Sequence, residues 1–159
     1  MCGIAGLMAA GSAEADSGTL DRMIAALRHR GPDGEASYAA RNVALGQTRL
    51  AIIDLETGNQ PLYEPGGAVL VANAEIYNHV ELRAELAGTV FKSGSDCEPI
   101  LPLYRLHGVE FVAHLRGMYA IALFDPANRE LIVARDPFGI KPLYYSSIIY
   151  LQSGKKKAS

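Results

Sequence analysis

Strand-length apolar runs follow one another along this chain with only a turn between them, an order that favours antiparallel hairpins. Ala36 to Ala40 and Val43 to Thr48 read as one hairpin. Tyr119 to Phe124 and Glu130 to Ala134 read as another, flanking Asp125-Pro126-Ala127-Asn128, a composition that reverses a chain. Ile4 to Ala9 reads as a buried strand, and Val69 to Ala72 as a β-branched strand ending at Asn73. Leu50 to Leu55 is expected as a further strand or a continuation, and Pro142 to Tyr145 as one more. Helical periodicity is confined to a few places. After a loop from Gly11 to Gly18, Leu20, Met23, Ile24 and Leu27 form one apolar face, which Arg28-His29-Arg30-Gly31-Pro32-Asp33-Gly34 terminates. Glu81 to Ala87 is expected as a short helix. Ser95-Asp96-Cys97-Glu98 is a capping-box pattern ahead of Ile100, Leu103, Tyr104 and His107. Pro102 is expected to kink or shorten that helix. Helices that cover sheets, rather than alternate with strands, make this an α+β chain.

At 159 residues the chain fits one domain with a sizeable core. Residues 1–150 are expected to form that domain, with 151–159 a disordered or truncated tail. A formal net charge of −2 supplies no basic field for nucleic acid or anionic lipid. No apolar run approaches the roughly 20 residues needed to cross a bilayer, and the N-terminus is not a secretory signal. Two cysteines make no disulfide framework, so a reducing cytoplasm is the expected location. No Cys/His cluster has zinc-ligand spacing.

Cys2 is the residue with the sharpest chemistry. Removal of Met1 would place a thiol and a free α-amine on the same residue. Such an amine titrates near ~7.7–8.0 and a free thiol near ~8.5, so the amine can act as base to its own nucleophile. On Met-Cys alone the bland reading, a small buried residue opening a strand, outweighs the catalytic one.

Seven collinear blocks shift that balance. Met1-Cys2-Gly3-Ile4-Ala5-Gly6, the 28–34 segment, Thr48-Arg49-Leu50-Ala51-Ile52-Ile53-Asp54 with Gly58-Asn59-Gln60-Pro61-Leu62, and Asn73-Ala74-Glu75-Ile76-Tyr77-Asn78 come first. Ser93-Gly94-Ser95-Asp96-Cys97-Glu98, Leu115-Arg116-Gly117-Met118-Tyr119 and Arg135-Asp136-Pro137-Phe138-Gly139-Ile140-Lys141-Pro142-Leu143-Tyr144 follow. Together they resemble class II glutamine amidotransferases of the N-terminal nucleophile hydrolase type, and within them the glutaminase half of asparagine synthetases. The resemblance implies a four-layer α-β-β-α sandwich with Cys2 at the end of a central strand. It implies hydrolysis of the L-glutamine side-chain amide through a Cys2 thioester. The oxyanion donors would be the Asn73 side chain and the backbone N–H of Ala74. Arg49 would clamp the substrate α-carboxylate, Asp96 and Glu75 would hold its α-ammonium, and backbone from Leu50 through Ala51, Ile52 and Ile53 would line the site. A helix cap or first-turn acid is an equally good setting for Asp96. His29 and Arg30 read as shaping the loop over the pocket rather than moving protons.

Two departures qualify the resemblance. Ala74 stands where the family usually has glycine, and a methyl group there would strain or narrow the site if positive φ or close substrate contact were required. No loop resembling the pyrophosphate-binding segment of a synthetase domain follows, so ATP and Mg belong to a domain absent from this sequence and no cofactor is expected within it. The chain is then a piece of a longer protein, a natural short form, or a subunit delivering ammonia to a partner synthetase domain or subunit. A homodimer is compatible with the sequence. A glutaminase serving aminosugar or purine synthesis, and a non-catalytic glutamine-sensing or interaction module, are the alternative readings.

Overall fold

The computed structural model describes residues 2–147 with the exception of 12, 53 and 55. Two antiparallel sheets form its centre. In the first, β3 (Val43–Arg49) lies between β1 (Gly3–Met8) and β2 (Gly34–Ala40). The second runs β4 (Leu62–Tyr63), β5 (Val69–Ile76), β6 (Gly117–Asp125), β7 (Glu130–Arg135). Both hairpins are present at the positions expected from sequence.

Three separate apolar clusters mark four layers. Leu20 and Ile24 of α1 (Ser17–Leu27) pack on Ala5 and Ala44. Val43 and Leu45 meet Val71, Ala122 and Phe124 between the sheets. Leu70, Ile76, Ile121 and Leu123 pack against Ile100, Leu103 and Phe111 on the far face. That last layer comprises α2 (His79–Glu85), α3 (Ile100–His107) and a 3-10 helix (Gly108–His114). Alternation along β3 produces the first two clusters, because neighbouring strand residues face opposite ways. Gly46 lets α1 come close: a Cβ there would lie 2.4 Å from Ile24 Cδ1. The layering is the α-β-β-α sandwich expected above.

Several local expectations are corrected. β5 continues past Asn73 to Ile76, because β6 pairs with it as far as Ile76↔Gly117. No strand occupies Leu50, Ala51, Ile52 or Asp54. The Ala51 N–H is taken by Asp33 Oδ2 at 2.9 Å, and Asp54 adopts φ 51° at a turn. Pro142 to Tyr145 is not a strand either. Its leading N–H, at Lys141, goes to Asp136 Oδ2 at 3.0 Å, and proline contributes no ladder donor. The Ser95–Glu98 box does not cap α3. Glu98 instead accepts from Lys92 N at 2.7 Å and Ser93 N at 2.9 Å, and the helix starts at Ile100 after Pro99. Pro102 therefore falls in the first turn, where a missing N–H costs nothing. At α1, Asp16 accepts from Gly18 N at 3.0 Å, starting the helix inside the expected loop. The tail at 151–159 lies outside the described residues.

Asp136 fixes the last described segment. Its carboxylate accepts from Tyr119 N at 3.2 Å, Ile140 N at 2.9 Å and Lys141 N at 3.0 Å. Burial raises its pKa, but these backbone donors outweigh that, holding it below the ordinary aspartate range. A depressed folded pKa contributes stability that is present above the unfolded value, about 3.9, and lost as pH falls through the folded one. Asp136→Asn should therefore flatten the acid limb of the stability–pH curve, measured by denaturant unfolding from pH 6 downwards.

Gly117 faces the backbone of β5, where a Cβ would lie 2.2 Å from the Glu75 carbonyl oxygen. Gly117→Ala should destabilise by about 1–3 kcal/mol through forced strand separation, read as a lower denaturant midpoint. An unchanged midpoint would contradict this packing.

Candidate active site

Gly3 pairs with Thr48 in the β1–β3 ladder, so Cys2 comes opposite Arg49 when that register is extended by one residue. The register is doubly pinned: Thr48 Oγ1 accepts from Gly3 N at 3.1 Å and donates to Leu27 O at 3.1 Å. Beyond the strand, Asp33 N donates to Arg49 O at 2.9 Å, and Asp33 Oδ2 takes the Ala51 N–H. These two contacts turn the 49–51 backbone so that Leu50 N donates to Cys2 Sγ at 3.3 Å. The thiol in turn points toward Leu50 O at 3.6 Å.

Cys2 opens into a cavity that also holds Arg49, Asn73, Ala74, Glu75 and Asp96. Arg49 is 8% exposed. Its Nη1 donates to Asn59 Oδ1 at 2.8 Å, and Nη2 to the Asp54 carbonyl. Gly58 leaves room for the guanidinium, since a Cβ would come within 2.9 Å of Nη2. Hydrogen bonds from both terminal nitrogens keep the plane of the guanidinium fixed at the cavity wall.

The edge of β5 supplies donors. Only Val69 and Leu70 pair with β4, leaving the rest of that edge without a strand. Ala72 N donates to Gln60 Oε1 at 2.6 Å, and Ala72 O accepts from Gln47 Nε2 at 3.2 Å. Ile76 N donates to Asp96 Oδ2 at 2.7 Å. The N–H of Ala74 lies between them with the same orientation, by strand periodicity, and faces the cavity. Asn73, 5% exposed, has no side-chain hydrogen bond among the described residues. Ala74 has no positive φ, and its methyl packs on the helical-layer core. The condition under which it would strain the backbone is absent.

Asp96 is held by a neighbouring loop rather than a helix end. Arg83 Nη2 donates to Ser93 O at 3.0 Å and Ser95 O at 2.7 Å, and Gly94 N donates to Asp54 Oδ2 at 2.7 Å. Cys97 is buried next to it. Burial pushes its thiol well above the ordinary range, and the adjacent Asp96 carboxylate adds to that.

The structure brings Cys2, Arg49, Leu50, Ile52, Asn73, Ala74, Glu75 and Asp96 to one cavity. Ala51 is not on its wall and spends its N–H on Asp33, while Ile53 lies outside the described residues. His29 is exposed beside Ala26 O, and Arg30 Nε donates to Cys2 O at 3.4 Å. Sequence reading missed Gln47, Gln60 and Lys141, all on the wall. Gln60 and Lys141 lay within blocks already noted, but only the fold shows them turning inward. A second cavity also touches Cys2 and Asn73, walled by Met23, Leu27, Arg30, Pro142 and Leu143.

A model of the glutamine amidotransferase domain matches residues 1–157. The chain is 42% identical over 152 residues to asparagine synthetase (glutamine-hydrolyzing) 2 of Bacillus subtilis strain 168, covering 93% of this chain and 20% of that protein. It is 48% identical over 120 residues to asparagine synthetase B (glutamine-hydrolyzing) of Escherichia coli strain K12, covering 74% and 22% respectively. It thus spans about a fifth of the length of these relatives. A solved glutamine phosphoribosylpyrophosphate amidotransferase from B. subtilis, complexed with ADP and GMP, superposes with a TM-score of 0.70 at 22% identity, over 86% of this chain and 37% of that one. At that identity the likeness speaks to fold alone.

The two thiols should differ in reactivity. Brief iodoacetamide treatment of native protein is expected to alkylate Cys2 and spare Cys97 until denaturation, as read by peptide mass mapping. Equal labelling of both would contradict the placement of Cys97.

Proposed function

The chain belongs to the glutamine amidotransferase domain family, and from that membership we propose that it hydrolyses L-glutamine to glutamate and ammonia at Cys2. The observation that carries this reading is one cavity containing a thiol, an arginine fork, two carboxylates and a strand-edge N–H. Glutamine has the matching parts. Its α-carboxylate suits Arg49, its α-ammonium suits Asp96 and Glu75, and its amide carbon is left for sulfur.

With Met1 removed, the Cys2 α-amine, directly or through one water, takes the thiol proton as Sγ attacks the carboxamide carbon. The carbonyl oxygen becomes an oxyanion, received by the Asn73 amide and the Ala74 N–H. The adduct collapses by breaking its C–N bond, and the amine's proton goes to the departing nitrogen. Water, deprotonated by the same amine, then cleaves the γ-glutamyl thioester to glutamate and regenerates the thiol. This half-reaction requires no metal or cofactor.

The acceptor we propose is an asparagine synthetase domain or subunit, as the names of the relatives suggest, with any need for ATP and Mg confined to that domain. A nucleophile that must remain a free thiol fits the reducing cytoplasm. Among the described residues no helix is long and apolar enough to cross a membrane.

Glutamate release from glutamine tests the proposal. Cys2→Ala should abolish it, as should an N-terminal extension that prevents exposure of the Cys2 amine. Asn73→Ala should lower kcat by about 10²–10³-fold, the usual effect of losing one oxyanion donor. Wild-type activity that survives Cys2→Ala sinks the mechanism. Ala74→Gly, by contrast, should change kcat/KM by no more than about twofold while costing about 0.5–1 kcal/mol of stability, because the residue is extended and its methyl packs away from the reacting atoms. A large gain in kcat/KM would show that the methyl obstructs the site.

A further inference from the structure

Lys141 is a charged group on the cavity wall that the steps above do not use. Its side chain is 3% exposed, and its Nζ lies 3.9 Å from Glu75 Oε1. An ammonium withdrawn from water is expensive to bury and is tolerated only with compensating partners. Its placement is not an accident of a loose chain. Asp136 takes the backbone N–H of Lys141 at 3.0 Å and of Tyr119 at 3.2 Å, tying the lysine Cα to β6. Glu75 differs: its side chain is 35% exposed, so water competes for its carboxylate.

We propose that Lys141 is a positioning residue for the α-ammonium site, holding the Glu75 carboxylate turned into the cavity beside Asp96. This inference rests on the glutaminase reading. At 3.9 Å the pair is loose, which leaves carboxylate lone pairs for the substrate ammonium while the lysine charge keeps the group from swinging into solvent. Glu75 and Asp96 then meet the ammonium preplaced, and the order is established before binding rather than during it. The consequence is specificity: a free α-ammonium is selected over amides of similar length that lack one.

The test is a double-mutant cycle in the mature enzyme with Met1 removed, using Lys141→Met, Glu75→Gln and the double variant. For each single variant the loss should fall on KM for glutamine, by about tenfold, with a much smaller change in kcat. If Lys141 acts through Glu75, the double variant is no worse than Glu75→Gln alone. Lys141→Arg should retain most of the affinity. Preference for glutamine over 4-carbamoylbutanoate, which has the same amide and carboxylate but no α-amine, should fall in Lys141→Met. Should Lys141→Met fold poorly, Lys141→Gln completes the same cycle. Multiplicative losses in the double variant, or a fall in kcat with KM unchanged, overturn the inference while leaving the glutaminase reading intact. A wild type that releases no glutamate overturns both.

Discussion

The pairing of Gly3 with Thr48 is the contact on which the site depends. It puts the Cys2 thiol one residue ahead of β1, and Arg49 at the end of β3 beside it. Register in a two-faced sheet is unforgiving, since a slip of one residue would turn every β1 side chain to the opposite layer. Here the slip is opposed from both sides, by Ala5 under α1 and by Ile4 against the intersheet cluster. Core packing therefore sets the distance between sulfur and guanidinium. The hydrogen bonds of Thr48 and Asp33 refine an arrangement that the apolar layers have already chosen.

Two cations, Arg49 and Lys141, and two carboxylates, Glu75 and Asp96, line the cavity, and Lys141 Nζ lies 3.9 Å from Glu75 Oε1. The two carboxylates are held differently. Asp96 is anchored by the Ile76 N–H at 2.7 Å, a fixed backbone donor. Glu75 has a side chain, Lys141, as its counter-charge. The first arrangement is rigid by construction, and the second depends on a loop secured by Asp136.

Apolar alternation and turn composition made the layers legible from sequence, because burial on both faces of β3 and β6 leaves a strong pattern. Two of the segments that differ from the sequence expectation have a backbone captured by a distant carboxylate. Leu50 to Ile52 has the residues of a strand, but Asp33 removes a ladder donor. Pro142 to Tyr145 has them too, but Asp136 folds its leading edge back onto β6. The Ser95–Glu98 box misled for a related reason: Glu98 is drawn to the 92–93 backbone and Arg83. Asp96 and Asn73 could be singled out by resemblance, whereas Lys141 could not. A solitary lysine beside prolines carries no periodic signal, and its burial exists only once the 136–141 turn has formed.

The unfinished edge of β5 explains how a sheet can supply the proposed oxyanion donor without special backbone geometry. An ordinary edge strand exposes a row of identical donors, any of which could bind water or another chain. On this edge β4 stops at Leu70, Gln60 occupies the Ala72 N–H, and Asp96 occupies that of Ile76. Only the position between them remains directed at the cavity, beside the Asn73 amide. Selection of one N–H thus comes from filling its neighbours, not from bending residue 74 away from the strand. That is why an alanine can stand there: its methyl follows the strand into the helical core, and the N–H is presented by the extended backbone that any L-residue adopts.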